Sequence, residues 1–422
     1  MSFSQAVSGL NAASAGLDSI GNNIANSATN GFKGATTSFA DMFAGSGVGL
    51  GVNVAAVTQN FKNGPITRTD RATDVAISGN GFFRVQDKNG DVYYSRDGQF
   101  LRDKSGNLVN NQGMVVTGYP ASVDEKGNIT VQSGGVPAGM NIPTDMMNAK
   151  QSDLAKLTIN LNSEDKVKDK PFDPNKPDDI ATYNFSTTMT AYDSQGNTHE
   201  ISVYFVKDAD NKWSAYAKAS SETKAEKLGE LEFDGNGKLM TEKVVKGPNS
   251  GAPDTTVQLP TTFAFPFKGL NGANDGTLQV DLGKTRQQKV SKSSVSAIDV
   301  NGYPAGEYTT FKIEDNGLIV ANYSNQQKRV VGQIALSAFA NPNGLVSQGG
   351  NVWAASNASG NPMDGVPGVG QFGKLTSGAL ESSNVDMSQE LISMIVMQRN
   401  YQSNAQTIKT QDQMLQTLVN LR

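Results

Sequence analysis

Apolar residues recur every seven positions at both ends of the chain and follow other patterns between them. One such column at the N-terminus consists of Phe3, Leu10, Leu17 and Ile24. A seven-residue apolar repeat on a helix makes a narrow stripe that needs a partner helix. Residues 3–26 are therefore predicted to form a helix that pairs with another helix.

The C-terminal segment carries a longer repeat of the same kind. The run Ser-Asn-Val-Asp at 383–386 fits a capping box that starts at Ser383, so a helix is expected over 384–421. We expect the two terminal helices to pair as a coiled coil and to present an apolar stripe to further copies of the chain. This predicted self-assembly core consists of Phe3, Val7, Leu10, Leu17, Ile20, Ile24, Leu391, Met394, Met397, Tyr401, Ile408, Leu415 and Leu418.

Two features of these helices each allow two interpretations. Gly9 and Gly16 lie seven residues apart, and they either let another backbone approach closely or are tolerated at a cost of about 1 kcal/mol each. Asn404 and Gln411 fall on the C-terminal stripe. There they either fix the register of the pair or face water.

Between the ends, short strand patterns alternate with turn sequences. Asn89-Gly90 separates the runs 82–85 and 92–94, which is a hairpin signal. A different strand pattern fills residues 187–216, and the first pattern returns after residue 284. The sequence predicts a mainly β fold with two β-domains, one inserted in the other, beside N- and C-terminal α-helices that pair as a coiled coil.

The changes in pattern also suggest boundaries. Residues 38–43 have a short helical pattern, and extended glycine-rich sequence follows them. The predicted domains are a terminal helical core (1–30 plus 375–422), an extended linker arm (31–71), a split first β-domain (72–146 plus 284–374) and an inserted second β-domain (147–283).

Composition excludes several classes of protein. The net charge of the 422 residues is −4, so no basic field for nucleic acid exists. No apolar run approaches the roughly 20 residues of a membrane span. The N-terminus has no lysine or arginine before Lys33, which argues against a cleaved secretory signal. With no cysteine, disulfides and thiolate chemistry are excluded.

Candidate chemistry is sparse. Residues 368–374 have the spacing of a phosphate loop, but Leu375 stands where Ser or Thr must reach magnesium. Residues 87–91 resemble the start of a calcium loop, but Val92 replaces the required glycine. His199, the single histidine, is interpreted as a strand-edge side chain rather than a metal ligand or general base. We predict no catalytic residue, no metal ligand and no cofactor, so the chain is not expected to be an enzyme.

The terminal sequences carry a resemblance. Residues 8–13, 20–26 and 29–33 resemble the N-terminal signature of bacterial flagellar rod and hook proteins, and residues 382–386, 398–404 and 408–410 resemble the matching C-terminal signature. Residues 39–43, 74–83 and 118–121 are similar to the hook branch of this family. The resemblance assigns family motif positions to Asn22, Asn23, Asn26, Gly31, Phe32, Lys33, Asn384, Asp386, Gln398, Arg399 and Asn404.

The resemblance implies a structural subunit of the flagellar hook. Such subunits leave the cell unprocessed through the flagellar export apparatus and polymerise with copies of themselves into a curved, flexible tube. The tube passes motor torque to the filament. The resemblance also implies the distal rod protein, the hook cap protein and the hook–filament junction protein as partners. The alternatives are another axial protein such as the distal rod subunit, a secreted β-rich binding module, or a secreted carbohydrate-active enzyme with two facing carboxylates.

Overall fold

The chain is mainly β-structure with one long helix at each end, as the sequence predicts. The computed structural model describes residues 2–42, 49–123, 129–132, 134–245 and 255–420. Helix α1 spans Ser2–Ala25 and helix α2 spans Met387–Asn420, and the two pack against each other. The predicted fold class is confirmed.

Helix α2 begins later than its predicted cap. The Oδ1 atom of Asp386 accepts hydrogen bonds from the backbone N–H groups of Ser388 (2.9 Å) and Gln389 (3.2 Å). Asp386 is therefore the N-cap. The prediction that Ser383 starts the helix is wrong, because its hydroxyl instead accepts the N–H of Val385 within extended backbone.

The segment after α1 is a β-hairpin. Strands β1 (Ala35–Met42) and β2 (Gly51–Gln59) pair antiparallel with a bulge at Ser38/Phe39. The helical interpretation of residues 38–43 is wrong for 38–42, since six residues are too few to fix a helical period, and residue 43 lies outside the described residues. A short strand, β3 (Ile66–Arg68), follows and pairs with residues 379–381 near the other end of the chain.

The chain divides into two compact units, and the helices and the hairpin belong to the first. One contains Met1–Thr144, Thr309–Asn322 and Lys328–Arg422, and the other contains Asp145–Tyr308 and Tyr323–Gln327. Before the insertion, the first unit contributes the strands β4 (Val75–Ser78), β5 (Phe82–Gln86), β6 (Val92–Ser95), β7 (Phe100–Arg102), β8 (Leu108–Asn110), β9 (Val115–Val123), β10 (Ile129–Val131) and β11 (Ala138–Gly139).

The inserted unit has its own core between two sheets. Its strands are β12 (Leu154–Asn162), β13 (Phe185–Tyr192), β14 (Thr198–Ala209), β15 (Lys212–Ala219), β16 (Glu226–Glu232), β17 (Glu242–Val245), β18 (Thr255–Gln258), β19 (Thr262–Phe267), β20 (Gly276–Asp281), β21 (Arg286–Gln288) and β22 (Ser294–Val300). One sheet has the order β19-β20-β12-β21 with β22 also on β12, and the other has the order β13-β14-β15-β16. Alternating apolar residues of both sheets, such as Ile159, Phe205 and Trp213, are fully buried in one cluster.

The far edge of the inserted unit differs from the expected one. Strands β21 and β22 hydrogen-bond to β12, at Asn160 to Asn162 and at Ala155 to Asn160 respectively. Residues 286–300 therefore belong to the inserted unit, whereas the sequence pattern placed the return to the first β-domain at 284. The turn-rich sequence pattern of this stretch resembles that of the first β-domain, so the strand pairing and not the pattern assigns the stretch to the inserted unit.

The returning chain completes the first unit. Its strands are β23 (Tyr308–Ile313), β24 (Leu318–Tyr323), β25 (Lys328–Ile334), β26 (Leu336–Ala338), β27 (Val346–Ser347), β28 (Val352–Ala354), β29 (Met363–Gly365), β30 (Lys374–Ser377) and β31 (Ala379–Glu381), with a short 3-10 helix at Pro342–Gly344. The sheet runs β23-β24-β25-β9-β5-β6-β28-β27. Phe82, Tyr94, Phe339 and Trp353 form an aromatic cluster in its core.

Candidate self-assembly core

Small residues bring α1 and α2 close together. A methyl group on Gly9 would lie 2.8 Å from Nδ2 of Asn404, and one on Gly16 would lie 3.3 Å from Sδ of Met397. These distances favour the close-approach interpretation of the two glycines. They also place Asn404 on the seam between the helices rather than in water.

The predicted residues of α1 line this seam unevenly. Ile20 is buried, while Val7, Leu10, Leu17 and Ile24 are half-buried and Phe3 is exposed. The other buried apolar positions are small side chains, of which the seven-residue spacing includes Ala6 and Ala13 as a column with Ile20 but not Ala12.

The predicted residues of α2 divide into two groups. Met394, Met397 and Ile408 are half-buried, whereas Leu391, Tyr401 and Leu415 are exposed. The side chain of Leu418 lies outside the described residues. Four further exposed apolar residues on α2 escaped the sequence analysis, and these are Ile392, Ile395, Val396 and Met414.

Four of the exposed residues form one surface, here called the outer face of α2: Leu391, Ile392, Ile395 and Val396. Their exposed fractions are 46%, 56%, 50% and 48%. At 3.6 residues per turn this face points roughly opposite to Met397 and Asn404, which contact α1. An i, i+3, i+4 count starting at residue 392 would have found it.

The hairpin β1–β2 lies along α1. The hydroxyl of Ser8 accepts the N–H of Val52 at 3.2 Å, and the hydroxyl of Ser19 donates to the carbonyl of Ala35 at 3.3 Å. The predicted arm is thus a strand pair on the first helix. Most of its side chains are exposed.

Buried Asn23 joins three elements. Its Nδ2 donates to the carbonyl of Ala35 (2.7 Å) and to Oε1 of Glu390 (3.0 Å), and its Oδ1 accepts the N–H of Ala35 (2.8 Å). Asn23 therefore ties α1, the hairpin and the first turn of α2 together. Because its buried amide finds partners on both sides, it fixes their register.

Other motif positions shape the chain after α1. Asn26 donates to the backbone and side-chain oxygens of Asn22 near the helix end. Gly31 has a φ of +70°, and a methyl group there would lie 2.6 Å from the backbone nitrogen of Asp97. Only glycine fits that turn. Phe32 is half-buried, and Gln398 and Arg399 are exposed on α2.

An ion cluster lies at the base of the hairpin. Nζ of Lys33 is 2.7 Å from Oε1 of Glu381, and Nη1 of Arg96 is 3.3 Å from Oε2 of the same carboxylate. All three residues are buried. Burial lowers the pKa of both Lys33 and Arg96, and the attraction of the Glu381 carboxylate only partly offsets that lowering.

The inserted unit contains the single histidine. His199 is fully buried rather than at a strand edge, and its Nε2 lies 3.2 Å from Oδ2 of Asp193. Burial raises the pKa of Asp193, but hydrogen bonds from Asn197, His199 and the Leu270 N–H outweigh it and leave the pKa lowered. Within the described ranges, no three His, Asp or Glu residues cluster as metal ligands would.

Family models cover most of the chain. They are described as "Flagella basal body rod protein" at residues 4–33, "Flagellar hook protein FlgE/F/G D1 domain" at 76–161, "Flagellar basal body protein FlaE D2 domain" at 160–303 and "Flagellar basal body rod FlgEFG protein C-terminal" at 376–421.

Curated relatives match over the full length. The flagellar hook protein FlgE of Salmonella typhimurium strain LT2 is 53% identical over 426 residues, covering 100% of both chains. The chain belongs to the flagellar hook protein family. FlgE of Escherichia coli strain K12 is 50% identical over 425 residues, again covering 100% of both chains. The resemblance inferred from the terminal motifs is confirmed.

This membership defines what the chain is and where it is found. It is a structural subunit of the flagellar hook, located in the extracellular hook just outside the basal body. The family is structural and is not a family of enzymes. Among the described residues, neither helix combines the length and the apolar character that crossing a membrane requires.

A solved hook structure shares the fold. The crystal structure of Helicobacter pylori flagellar hook protein FlgE2 matches with a TM-score of 0.52 at 16% identity, covering 75% of this chain and 100% of that chain. At this identity the match supports the fold and not the role of any residue.

Proposed function

We propose that this hook subunit polymerises through its terminal helices into a curved, flexible tube that transmits motor torque to the filament. The outer face of α2 carries the proposal. Four neighbouring aliphatic side chains, each about half exposed, lie on a helix whose other side already packs on α1. An apolar stripe of this kind on a soluble protein is typical of an interface.

The position of this face determines the kind of assembly. The outer face of α2 lies on the opposite side of the helix from the seam with α1, and we infer that it contacts a different surface of the next copy. A contact between two different surfaces is heterologous, and repeated heterologous contacts generate open helical polymers when they do not close into a ring. We infer that the residues of the predicted self-assembly core divide into seam contacts within a subunit and contacts between subunits.

Bending requires contacts of another kind away from the helices. A curved tube must lengthen and shorten its rows of subunits, which small polar contacts allow and rigid apolar contacts resist. The inserted unit has charged surface suited to this, including Lys166, Asp169 and Lys170, all of them exposed. We assign the permanent contacts to the helices and the sliding contacts to the β-units.

The proposed partners follow from this role. They are copies of the same chain, the distal rod protein below, the hook cap protein during growth, the hook–filament junction protein above, and the flagellar export apparatus. The chain acts in these contacts as a structural element and not as an enzyme. The family match and the terminal helices support this assignment over a binding module or a carbohydrate-active enzyme.

Electron microscopy of the purified full-length chain tests the proposal. We expect open-ended tubes from the wild type and none from Ile395→Asp, which puts a charge on the outer face of α2. Ile180→Asp is the matched control, because Ile180 is 74% exposed in the inserted unit, and it should still form tubes. Small closed oligomers of the wild type, or tubes from Ile395→Asp, would contradict the proposal.

A further inference from the structure

The segment that leads into α2 lies against both ends of the hairpin. Strand β31 pairs with β3, with Glu381 opposite Ile66. The N–H of Ser382 donates to the carbonyl of Pro65 at 2.9 Å. The last residues before α2 therefore run beside the chain that has just left the hairpin.

Glu381 contacts three other parts of the first unit. Its backbone oxygen accepts the N–H of Gly31 at 2.7 Å, before the hairpin. Its Oε1 accepts from Lys33 at 2.7 Å and from the N–H of Gly64, after the hairpin, at 2.8 Å. Its Oε2 accepts from Arg96 of the β-domain at 3.3 Å. One buried carboxylate thus connects the entry of the hairpin, its exit and the β-domain.

Asn384 closes the hairpin base from the same side. Its Oδ1 accepts the N–H of Gly34 at 2.9 Å, while its Nδ2 donates to the carbonyls of Asn60 (2.6 Å) and Lys62 (2.9 Å). Nζ of Lys33 also donates to the carbonyl of Lys62, at 2.8 Å. The two ends of the hairpin are therefore held together by side chains from opposite ends of the sequence.

We propose that Glu381 and Asn384 are positioning residues for assembly. Together they form a clamp that sets the direction of the hairpin and of α2 relative to the β-domain. The inference rests on the proposed function, because direction matters only if the helices and hairpin meet other copies. A two-stranded ribbon is marginally stable alone, and most of this hairpin is exposed, so its direction depends on its contacts with α1 and on the bonds at its base.

The charges explain why the clamp needs its carboxylate. Lys33 and Arg96 are two buried cations, and both form an ion pair with Glu381. Glu381→Gln leaves these cations facing each other without a counter-charge, which is the costly way to break a buried ion pair. Asn384→Ala is milder, because the exposed carbonyls of Asn60 and Lys62 then bond to water.

The test compares Asn384→Ala with Asn110→Ala in the full-length chain. The side chain of Asn110, like that of Asn384, bonds to the backbone: it accepts the N–H groups of Gln112 and Met114, in a turn outside the clamp. Asn384→Ala should raise the critical concentration for tube formation about tenfold. It should also speed amide exchange at Val52–Gln59, while the amides of the β-domain sheet stay protected. Asn110→Ala should change neither quantity.

The clamp would be ruled out if Asn384→Ala had the critical concentration and the hairpin amide exchange of the wild type. It would also be ruled out if Asn384→Ala and Asn110→Ala changed these quantities equally. Glu381→Gln should show the same changes more strongly, and if it does not fold, Asn384→Ala decides alone. If the wild type itself forms no tubes, the proposed function fails. Hairpin exchange in the free subunit then still decides whether the clamp exists.

Discussion

Replacing Ile392 and Ile395 together by alanine should weaken assembly without weakening the subunit. The two side chains are 56% and 50% exposed, so about half of each is still available for burial between copies. Each replacement removes three carbon atoms, and burying one such carbon fully contributes about 0.8 kcal/mol. Because only about half of each side chain remains to be buried, the loss is about 1 kcal/mol per residue and about 2 kcal/mol for the pair. Since 1.4 kcal/mol is tenfold, the critical concentration should rise about 30-fold.

Sedimentation of tubes from a concentration series measures this quantity, and circular dichroism of the free subunit measures the unfolding free energy. Alanine is a better helix former than isoleucine, so the helices of the subunit should not lose stability. Ile180→Ala is the control and should leave the critical concentration unchanged. An unchanged critical concentration in the double variant, or a loss of subunit stability that accounts for the whole shift, would refute the reasoning.

Further tests address the seam, pH and the β-units. Gly9→Ala places a methyl group 2.8 Å from the Asn404 amide, which must shift, and should therefore stabilise α1 less than Gly21→Ala, which has nothing within 4 Å and should stabilise α1 by about 1 kcal/mol. An equal increase in helix stability in both variants would contradict the close approach of α2 to Gly9. Because the pKa of Asp193 is lowered in the folded chain, its carboxylate contributes fully to the free energy of unfolding above the unfolded pKa of about 3.9. This contribution is lost as pH falls towards the folded pKa, so Asp193→Asn should lower the free energy of unfolding less in acid than at neutral pH. Urea unfolding measures this difference, and a loss of unfolding free energy that is the same at all pH values would argue against the reasoning. Charge reversal at exposed Lys170 should change tube curvature or stiffness in micrographs, and complete loss of tubes would count against sliding contacts.

The sequence predicted the elements that depend on local pattern. Both helices and the two β-domains follow from spacings that can be counted along the chain, whereas the spacing of Gly9 and Gly16 left two interpretations open. The same counting failed at residues 38–42, because the six positions 38–43 from which the period was counted are compatible with more than one period. It also found only Leu391 of the four residues on the outer face of α2, because a seven-residue count selects the stripe that faces a partner helix and passes over a second stripe such as Ile392 and Ile395.

The clamp could be predicted only in part. Lys33 and Asn384 were found as motif positions, but their partners were not. Arg96 and Glu381 are 285 residues apart, and no periodicity links a β-domain turn to the strand before α2. Likewise, only the hydrogen bonds of β21 and β22 to β12 assign residues 286–300 to the inserted unit.

The outer face of α2 and the seam with α1 lie on different sides of the same helix. In the proposed tube, every added copy covers one such face and supplies another, so the growing end looks the same after each addition. Nothing in such a scheme counts copies. The final size of the structure must therefore be imposed by something other than this subunit.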